Sequence, residues 1–218
     1  MESLYPFLYT GGGDVSAVLD QVRASTVAKA EEILRLRQVS CARDGDRLAE
    51  CAERVADRFR AGGRLFAFGN GGSATDAQQL ATLFLHPGGD TPPLPAFCLA
   101  SDTAVLTALS NDIGVEVVFA RQLGAFGERD DIAVGLSTSG NSANLLRAFD
   151  EASRRGMLTI GLAGYEGGQM AESDSIVYLF VAPSASVHRI QEAQTTIYQI
   201  LWELTTREVA SDVPRHTG

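Results

Sequence analysis

The chain has 218 residues, 45% of them hydrophobic, and a formal net charge of −9. This length and composition predict one globular domain with a sizeable core, and no apolar stretch approaches the roughly 18 residues of a membrane span. The negative charge argues against direct nucleic-acid binding through a general basic surface. The sequence therefore predicts no membrane partner and no direct nucleic-acid partner.

Three cysteines and the N-terminal residues bear on the cellular compartment. Cys41, Cys51 and Cys98 are scattered along the chain and odd in number, which favours free, buried thiols in a reducing environment. The first residues contain neither a basic segment nor a long apolar one, so the sequence predicts no signal peptide. We therefore expect a cytoplasmic protein.

Two helices are predicted before the first strand. Apolar residues at helical spacing follow Asp14, the expected N-cap, and predict a helix from residue 14 to about 39. A second helix is predicted over 46–61, and it ends at a pair of glycines. Residues 1–13 are expected to be a flexible segment, and the helical pair within 14–61 is expected to serve oligomerisation.

After residue 63 short apolar runs alternate with helical segments. This alternation predicts a parallel sheet of five strands that is covered by helices on both faces. The expected strands are 64–68, 94–99, 132–136, 158–162 and 176–181. The expected helices lie near 73–85, 103–111, 115–126, 142–155 and 186–209. Residues 14–209 are thus one domain with an α/β core at 64–209, and 210–218 form a tail.

Two runs of small residues follow predicted strands and precede predicted helices. In Gly69–Ser73 the glycines permit positive φ and close backbone approach, but this run alone is equally consistent with a plain strand-to-helix turn. It matches neither the dinucleotide-binding glycine pattern nor the P-loop, because the third glycine and the lysine are missing.

The second run carries more information because it is rich in hydroxyl groups. Within Ser137–Ser142 four residues bear hydroxyls, and they surround Gly140 and Asn141. Hydroxyls and free backbone N–H groups at a helix N-terminus can together bind the oxygens of a phosphate. The alternative is one N-capping serine with turn residues around it. Four hydroxyls exceed what capping requires, so the run favours a phosphate site.

Five ordered motifs carry a resemblance to a known family. The sequence resembles the SIS (sugar isomerase) domain family, and within it the phosphoheptose isomerase branch, from about residue 14 to 209. The motifs are Gly69–Ser73 with Asp76-Ala77, Ser110–Asp112, Ser137–Asn144, Gly164–Gly168 and Arg189–Glu192.

This resemblance implies a flavodoxin-like, three-layer αβα fold and a homotetramer with ligand sites at the subunit interfaces. It also implies a phosphorylated seven-carbon sugar as ligand. The hydroxyl residues that would hold the phosphate are Ser137, Thr138, Ser139 and Ser142. The residues that would line the sugar side are Asn70, Ser73, Asp102 and Gln191.

The chain departs from the family at the residues that perform the chemistry. In phosphoheptose isomerases a His and a Glu on the helix after the glycine turn, and a Gln and a His on the last helix, hold a zinc ion. The same Glu and the distal His form the acid/base pair. Here the corresponding residues are Gln79, Leu83, Gln191 and Gln199. We therefore predict no metal site, and no cofactor of another kind.

A relocated acid/base pair is the remaining route to catalysis. His188, Gln191, Thr195 and Gln199 follow each other at helical spacing and predict a shared helix face. His188, which replaces a sugar-binding Asp of the family, would be the catalytic histidine, with Glu192 completing the relay. The alternatives are an exposed histidine and a carboxylate that stabilises the helix N-terminus.

Three functions follow from these residues. The first is a sugar-phosphate-binding SIS protein that resembles phosphoheptose isomerase, an enzyme that interconverts an aldose and a ketose, with weak, altered or no isomerase activity. The second is a non-catalytic regulator that senses a sugar phosphate. The third is a protein-interaction module like the SIS branch that binds the bacterial replication initiator. The missing acid/base residues argue against a standard isomerase, and the complete set of phosphate hydroxyls argues against the third.

Overall fold

A computed structural model describes residues 15–88 and 91–211. Its helices are α1 (Val15–Arg60), α2 (Gly72–Leu85), α3 (Thr103–Asp112), α4 (Val118–Phe126), α5 (Ala143–Arg154) and α6 (Val187–Ser211). Its strands are β1 (Leu65–Gly69), β2 (Ala96–Cys98), β3 (Ile132–Leu136), β4 (Leu158–Gly164) and β5 (Tyr178–Ala182). The predicted order of strands and helices after residue 63 is confirmed. The expected N-cap Asp14, the segment 1–13 and most of the tail lie outside the described residues.

The predicted helical pair is instead one continuous helix of 46 residues, so the expected break between 39 and 46 was wrong. Gly45 lies within this helix, where a glycine costs only about 1 kcal/mol relative to alanine. The neighbouring Asp44 is buried and accepts hydrogen bonds from Arg43, the shorter at 2.6 Å. Arg47 pairs with the same carboxylate at 3.7 Å across Gly45. Such an i,i+3 pair supports the helix, and no proline interrupts it.

The five strands form one parallel sheet in the order β2-β1-β3-β4-β5. Every residue of β1, β3 and β4 is buried, as expected for strands that are covered on both faces. In this order the chain direction across the sheet reverses between β1 and β3, and open α/β sheets bind ligands at that switch point, beyond the carboxyl ends of the strands. The glycine-rich and hydroxyl-rich runs follow these two strands.

Two apolar clusters fill the two faces of the sheet. One contains Leu48, Leu80 and Tyr198 from α1, α2 and α6. The other contains Phe119 and Phe149 from α4 and α5. None of the described helices combines the length and apolar character that crossing a membrane would require. The sheet with its two covering layers confirms the three-layer fold.

The three cysteines are free, but they differ in exposure. Cys51 is buried, and burial raises the pKa of its thiol to about 12, so this thiol stays protonated and inert at neutral pH. Cys98 is half-buried, whereas Cys41 is exposed. The expectation of buried thiols is therefore wrong for Cys41, because that part of α1 is largely exposed to solvent.

Candidate functional site

The hydroxyl-rich run forms the loop from β3 into α5. The Ser137 hydroxyl lies 3.3 Å from that of Ser142 and accepts the backbone N–H of Gly140 at 3.1 Å. The Ser139 hydroxyl accepts the N–H of Asn141 at 3.2 Å. A hydroxyl oxygen that accepts from the backbone is fixed in place, while its own proton remains available for an anionic ligand.

Ser142 occupies the N-cap position of α5, yet its side chain makes no capping hydrogen bond. The first N–H groups of a helix have no intrahelical acceptor, and the helix dipole adds partial positive charge there. The N-terminus of α5 therefore brings backbone donors and hydroxyls together at the switch point of the sheet. Simple N-capping does not account for the Ser142 hydroxyl.

The segment after β4, which includes the 3₁₀ turn at Gly168–Glu172, is hydrogen-bonded to the hydroxyl-rich loop. Met170 donates its backbone N–H to the carbonyl of Gly140 at 3.0 Å. Gln169 donates to the Asn141 side-chain oxygen at 2.9 Å. Gly140 has φ of +68°, and a Cβ there would lie 1.9 Å from the carbonyl oxygen of Gly167. Glycine is therefore required at this position.

We expect Gly140→Ala to lower the free energy of unfolding by about 3–5 kcal/mol, because it combines an unfavourable φ with a backbone clash. The matched control is Gly62→Ala, where φ is +87° but no atom lies within 4 Å of an added Cβ. This control should lose only about 1–2 kcal/mol. Urea unfolding measures both, and equal losses would show that the Gly167 contact imposes no constraint.

The glycine-rich run places Asn70 beside the hydroxyl loop. The side-chain amides of Asn70 and Asn144 exchange two hydrogen bonds, each 2.9 Å long. Asn144 is buried in the first turn of α5, so this pair links the two loops across the switch point. Ser73 is also close, but it is only 5% exposed. Of these two sugar-side candidates, Asn70 is the exposed one.

Helix α6 adds Gln191 to the same crevice. The Gln191 side chain lies against Gly72, whose Cβ, if present, would be 2.3 Å from the Gln191 Nε2. That Nε2 donates to Asp76 Oδ2 at 3.4 Å. Burial raises the pKa of the half-buried Asp76 carboxyl, and the hydrogen bond from Gln191 partly opposes this effect. Gln191 is thus oriented by α2 at the edge of the crevice.

The other residues predicted to share this face of α6 are His188, Thr195 and Gln199. Thr195 is half-buried and donates its hydroxyl to the Gln191 carbonyl at 3.0 Å. His188 and Gln199 are exposed. The Glu192 carboxylate pairs with the Arg189 guanidinium within α6. Of the two relocated acid/base candidates, one is therefore a solvent-facing imidazole and the other is held by a salt bridge.

Asp102 lies at the start of α3 and acts as its N-cap. Its carboxylate accepts the backbone N–H of Val105 at 3.0 Å. The carboxylate is exposed, so its second oxygen can still face a ligand. Among the described residues this capping bond is the hydrogen bond that Asp102 makes through its side chain, and its place on the sugar side stays a prediction.

The residues at the family's zinc positions do not suit a zinc ion. Gln79 and Gln199 are exposed amides, and Leu83 is a half-buried alkyl side chain that packs on the apolar core. Zinc binds thiolate, imidazole and carboxylate ligands, and amide oxygen is a poor substitute. Within the described ranges, no group of three or more His, Cys, Asp or Glu side chains could hold a metal ion.

We expect protein purified without added metal to contain far less than one zinc ion per chain, because three of the four family ligands are replaced. Inductively coupled plasma mass spectrometry measures the content. Stoichiometric zinc that disappears in Gln79→Ala or Gln199→Ala would contradict this prediction.

Sequence reasoning did not find two structural residues of the site. Asn144 and Asp76 both lie in the quoted motifs, but their partners, Asn70 and Gln191, are distant in the chain. A pairing across 74 or 115 residues leaves no periodic signal in one sequence. The strand order, which brings β1 next to β3, accounts for the Asn70–Asn144 contact, and the packing of α6 against α2 accounts for the Gln191–Asp76 contact.

Comparison with known proteins gives a consistent result. The chain is 44% identical over 179 residues to a phosphoheptose isomerase of Desulfovibrio desulfuricans, covering 82% of this chain and 84% of that protein. It is 40% identical to a phosphoheptose isomerase of Chlorobaculum tepidum, covering 82% and 86%. The solved phosphoheptose isomerase of Neisseria gonorrhoeae superposes with a TM-score of 0.77 at 34% identity, covering 84% of this chain and 97% of that one.

The model of the SIS domain matches residues 30–164, which include the glycine-rich turn and the whole hydroxyl loop. The relatives match over most of their own length, and the fold superposes on that of a solved phosphoheptose isomerase. The chain therefore belongs to the SIS domain family.

Proposed function

We propose that this chain binds a phosphorylated sugar, with a heptose phosphate as the first candidate. The observation that carries the proposal is the hydroxyl loop at the N-terminus of α5, in the switch-point crevice of the sheet. The hydroxyls that would bind the phosphate are those of Ser137, Thr138, Ser139 and Ser142. A phosphate held by hydroxyls and helix N–H groups needs no basic side chain, which suits a site without one in an acidic protein.

The sugar would extend from the phosphate towards the glycine-rich turn. Asn70 and Gln191 border the crevice on that side, and both present amides that can donate to and accept from sugar hydroxyls. Ser73 and Asp102 complete the proposed sugar side. The Asn70–Asn144 pair and the Gln191–Asp76 contact orient two of these groups before a ligand arrives, which lowers the entropy cost of binding.

The proposed activity is weak, altered or absent aldose–ketose isomerisation. The reaction moves a proton between C1 and C2 and also requires proton transfer at both oxygens. Leu83 cannot accept a proton, and Gln199 does not titrate near neutral pH. His188, with Glu192 or a water, is the remaining pair, and the Glu192 carboxylate is engaged in a salt bridge with Arg189.

Thermal shift with a panel of sugar phosphates tests the proposal. The panel contains inorganic phosphate, sedoheptulose 7-phosphate, arabinose 5-phosphate, fructose 6-phosphate and the unphosphorylated sugars. We expect phosphorylated sugars to raise the Tm and unphosphorylated sugars to leave it unchanged. Each stabilising compound is then assayed for turnover, which separates an enzyme from a non-catalytic regulator. No shift with any phosphorylated sugar would exclude the proposed site.

We further propose a homotetramer, as in the family. Large apolar side chains of α1 are exposed, which favours burial in a closed symmetric assembly. They include Val18, Leu19, Val22, Val27 and Leu34. Light scattering at micromolar concentration should report four chains, and a Val18→Asp, Val22→Asp double variant should dissociate them. A monomeric parent protein would refute this expectation.

A further inference from the structure

A buried glutamine of α6 contacts the backbone at the start of the hydroxyl loop. The Gln194 side chain is fully buried, and its Nε2 donates to the backbone carbonyl of Ser137 at 3.3 Å. Ser137 is the first residue after β3 and the first of the four hydroxyl residues. Gln194 therefore joins the last helix to the point where β3 leads into the proposed phosphate site.

The other half of the Gln194 amide is unpaired. Its Oε1 is buried and has no hydrogen-bond partner among the residues that the structure describes. Buried polar atoms are nearly always paired, and an unpaired acceptor lowers stability. The buried neighbours of Gln194 on α6 are the apolar residues Ile190, Ala193 and Ile197, so an apolar side chain would suit this position for packing alone. The contact with the hydroxyl loop, rather than packing, accounts for an amide here.

The hydrogen bond from Gln194 fixes the orientation of one peptide unit. The carbonyl of Ser137 and the N–H of Thr138 belong to the same planar, trans peptide, so they point in opposite directions. Ser137 also donates its own N–H to the Leu162 carbonyl at 2.9 Å, which holds the residue against β4. The Thr138 N–H therefore points away from α6, and α5 covers the opposite face of the sheet.

This Thr138 N–H is a free donor within the hydroxyl loop. In the part of the chain that the structure describes, the N–H groups of Thr138 and Ser139 have no acceptor, and both residues are only half-buried. The next two N–H groups, those of Gly140 and Asn141, are already bonded to the hydroxyls of Ser137 and Ser139. Oriented, unpaired backbone N–H groups beside a helix N-terminus are donors that phosphate oxygens bind.

We propose that Gln194 is a positioning residue for the phosphate: by holding the Ser137 carbonyl, it directs the Thr138 N–H at a phosphate bound in the hydroxyl loop. The inference rests on the proposed function and adds a backbone donor to it. Because Gln194 is buried, it acts through the peptide between Ser137 and Thr138 and does not touch the ligand. It also lies outside the five motifs that carry the family resemblance.

Amide NMR spectroscopy tests the direction of the donor. Protein with isotope-labelled threonine is titrated with inorganic phosphate, and a Thr138→Ser variant identifies the Thr138 signal. In the parent protein we expect the Thr138 amide proton to move downfield as it bonds to the anion. In Gln194→Met, which has a similar length but no amide, this movement should be smaller. Phosphate binding that leaves the parent's Thr138 signal in place would overturn the proposal.

Isothermal titration calorimetry with inorganic phosphate gives the second readout. Gln194→Met should weaken affinity about tenfold, because a misdirected donor loses much of its hydrogen bond to a charged group. Gln194→Leu repeats the test with a different apolar shape, and circular dichroism verifies that both variants fold.

The matched control is Thr205→Val. Thr205 is also fully buried on α6, and its hydroxyl also donates to a backbone carbonyl, that of Ala52, at 3.5 Å. Both variants lose one hydrogen bond from α6 to the backbone, so the Tm should fall by similar amounts. Only Gln194→Met should lose phosphate affinity.

The outcomes distinguish this inference from the proposed function. No phosphate binding by the parent protein would refute the proposed function and this inference with it. Undiminished affinity in folded Gln194→Met and Gln194→Leu would refute the positioning role alone. An equal loss of affinity in Thr205→Val would show that the stability of α6, and not the Ser137 contact, controls binding, and it would also overturn the proposal.

Discussion

Sedoheptulose 7-phosphate should be isomerised by this chain at least about 10²-fold more slowly than by a zinc-bearing phosphoheptose isomerase, and up to about 10⁴-fold more slowly. The family's proton-transferring Glu and His are Leu83 and Gln199 here. Each general acid or base contributes about 10²–10⁴-fold, and groups that act as a unit are lost together rather than additively. Binding should persist, because the phosphate hydroxyls are all present.

Restoring the missing zinc-binding and acid/base side chains tests whether their loss is what slows isomerisation. A triple variant with Gln79→His, Leu83→Glu and Gln199→His, loaded with zinc, would carry the family's full set together with Gln191. We expect its kcat to rise by at least about 10²-fold, while KM changes little because the sugar contacts are unaltered. Leu83 packs partly on the core, so circular dichroism and a Gln79→His, Gln199→His double variant control for misfolding.

Catalysis by the proposed relocated acid/base pair, His188 and Glu192, needs a separate measurement. Deuterium wash-in at C1 or C2 of a bound sugar phosphate detects enediol formation even when net turnover is slow. Exchange that disappears in His188→Ala would assign the proton transfer to that imidazole. Rapid isomerisation of the heptose without zinc that survives His188→Ala would contradict the prediction, and it would place the chemistry on residues to which we assign a structural role.

The fold could be predicted from the sequence because its signals are local. Short apolar runs separated by helical periodicity predicted five parallel strands and their positions along the chain, since buried strands of a parallel sheet are apolar throughout. The order of the strands within the sheet was not predicted. The N-terminal helix was predicted less well. Gly45 has the sequence pattern of a helix end, and Asp46 has that of a new N-cap. Neither residue is enough to interrupt a helix that contains no proline.

The candidate site was only partly predictable. Ser137–Ser142 stands out in the sequence because four hydroxyls in six residues exceed what a turn requires. The contacts that orient the site join distant parts of the chain, and the Asn70–Asn144 and Gln191–Asp76 pairs have no local signature.

A Ser139→Ala, Ser142→Ala double variant should bind sedoheptulose 7-phosphate roughly 10²–10⁴-fold more weakly than the parent chain. A hydrogen bond to a charged group is worth about 1.5–3 kcal/mol, so two such bonds account for this range. Neither hydroxyl caps a helix: Ser139 accepts one backbone N–H, and Ser142 lies 3.3 Å from Ser137. Stability should therefore fall by much less than ligand affinity.

Isothermal titration calorimetry with the sugar phosphate and with inorganic phosphate measures the loss of affinity in the double variant. If the hydroxyls bind the phosphate, the binding free energy of both ligands should weaken by similar amounts. Ser153→Ala, at the exposed C-terminal end of α5, is the matched control and should leave affinity unchanged. Because the site has no lysine or arginine in the loop, these hydroxyls and the α5 N–H groups are the main counterparts of the phosphate charge. Unaltered affinity in the double variant would place the ligand away from this loop and remove the basis of the proposed function.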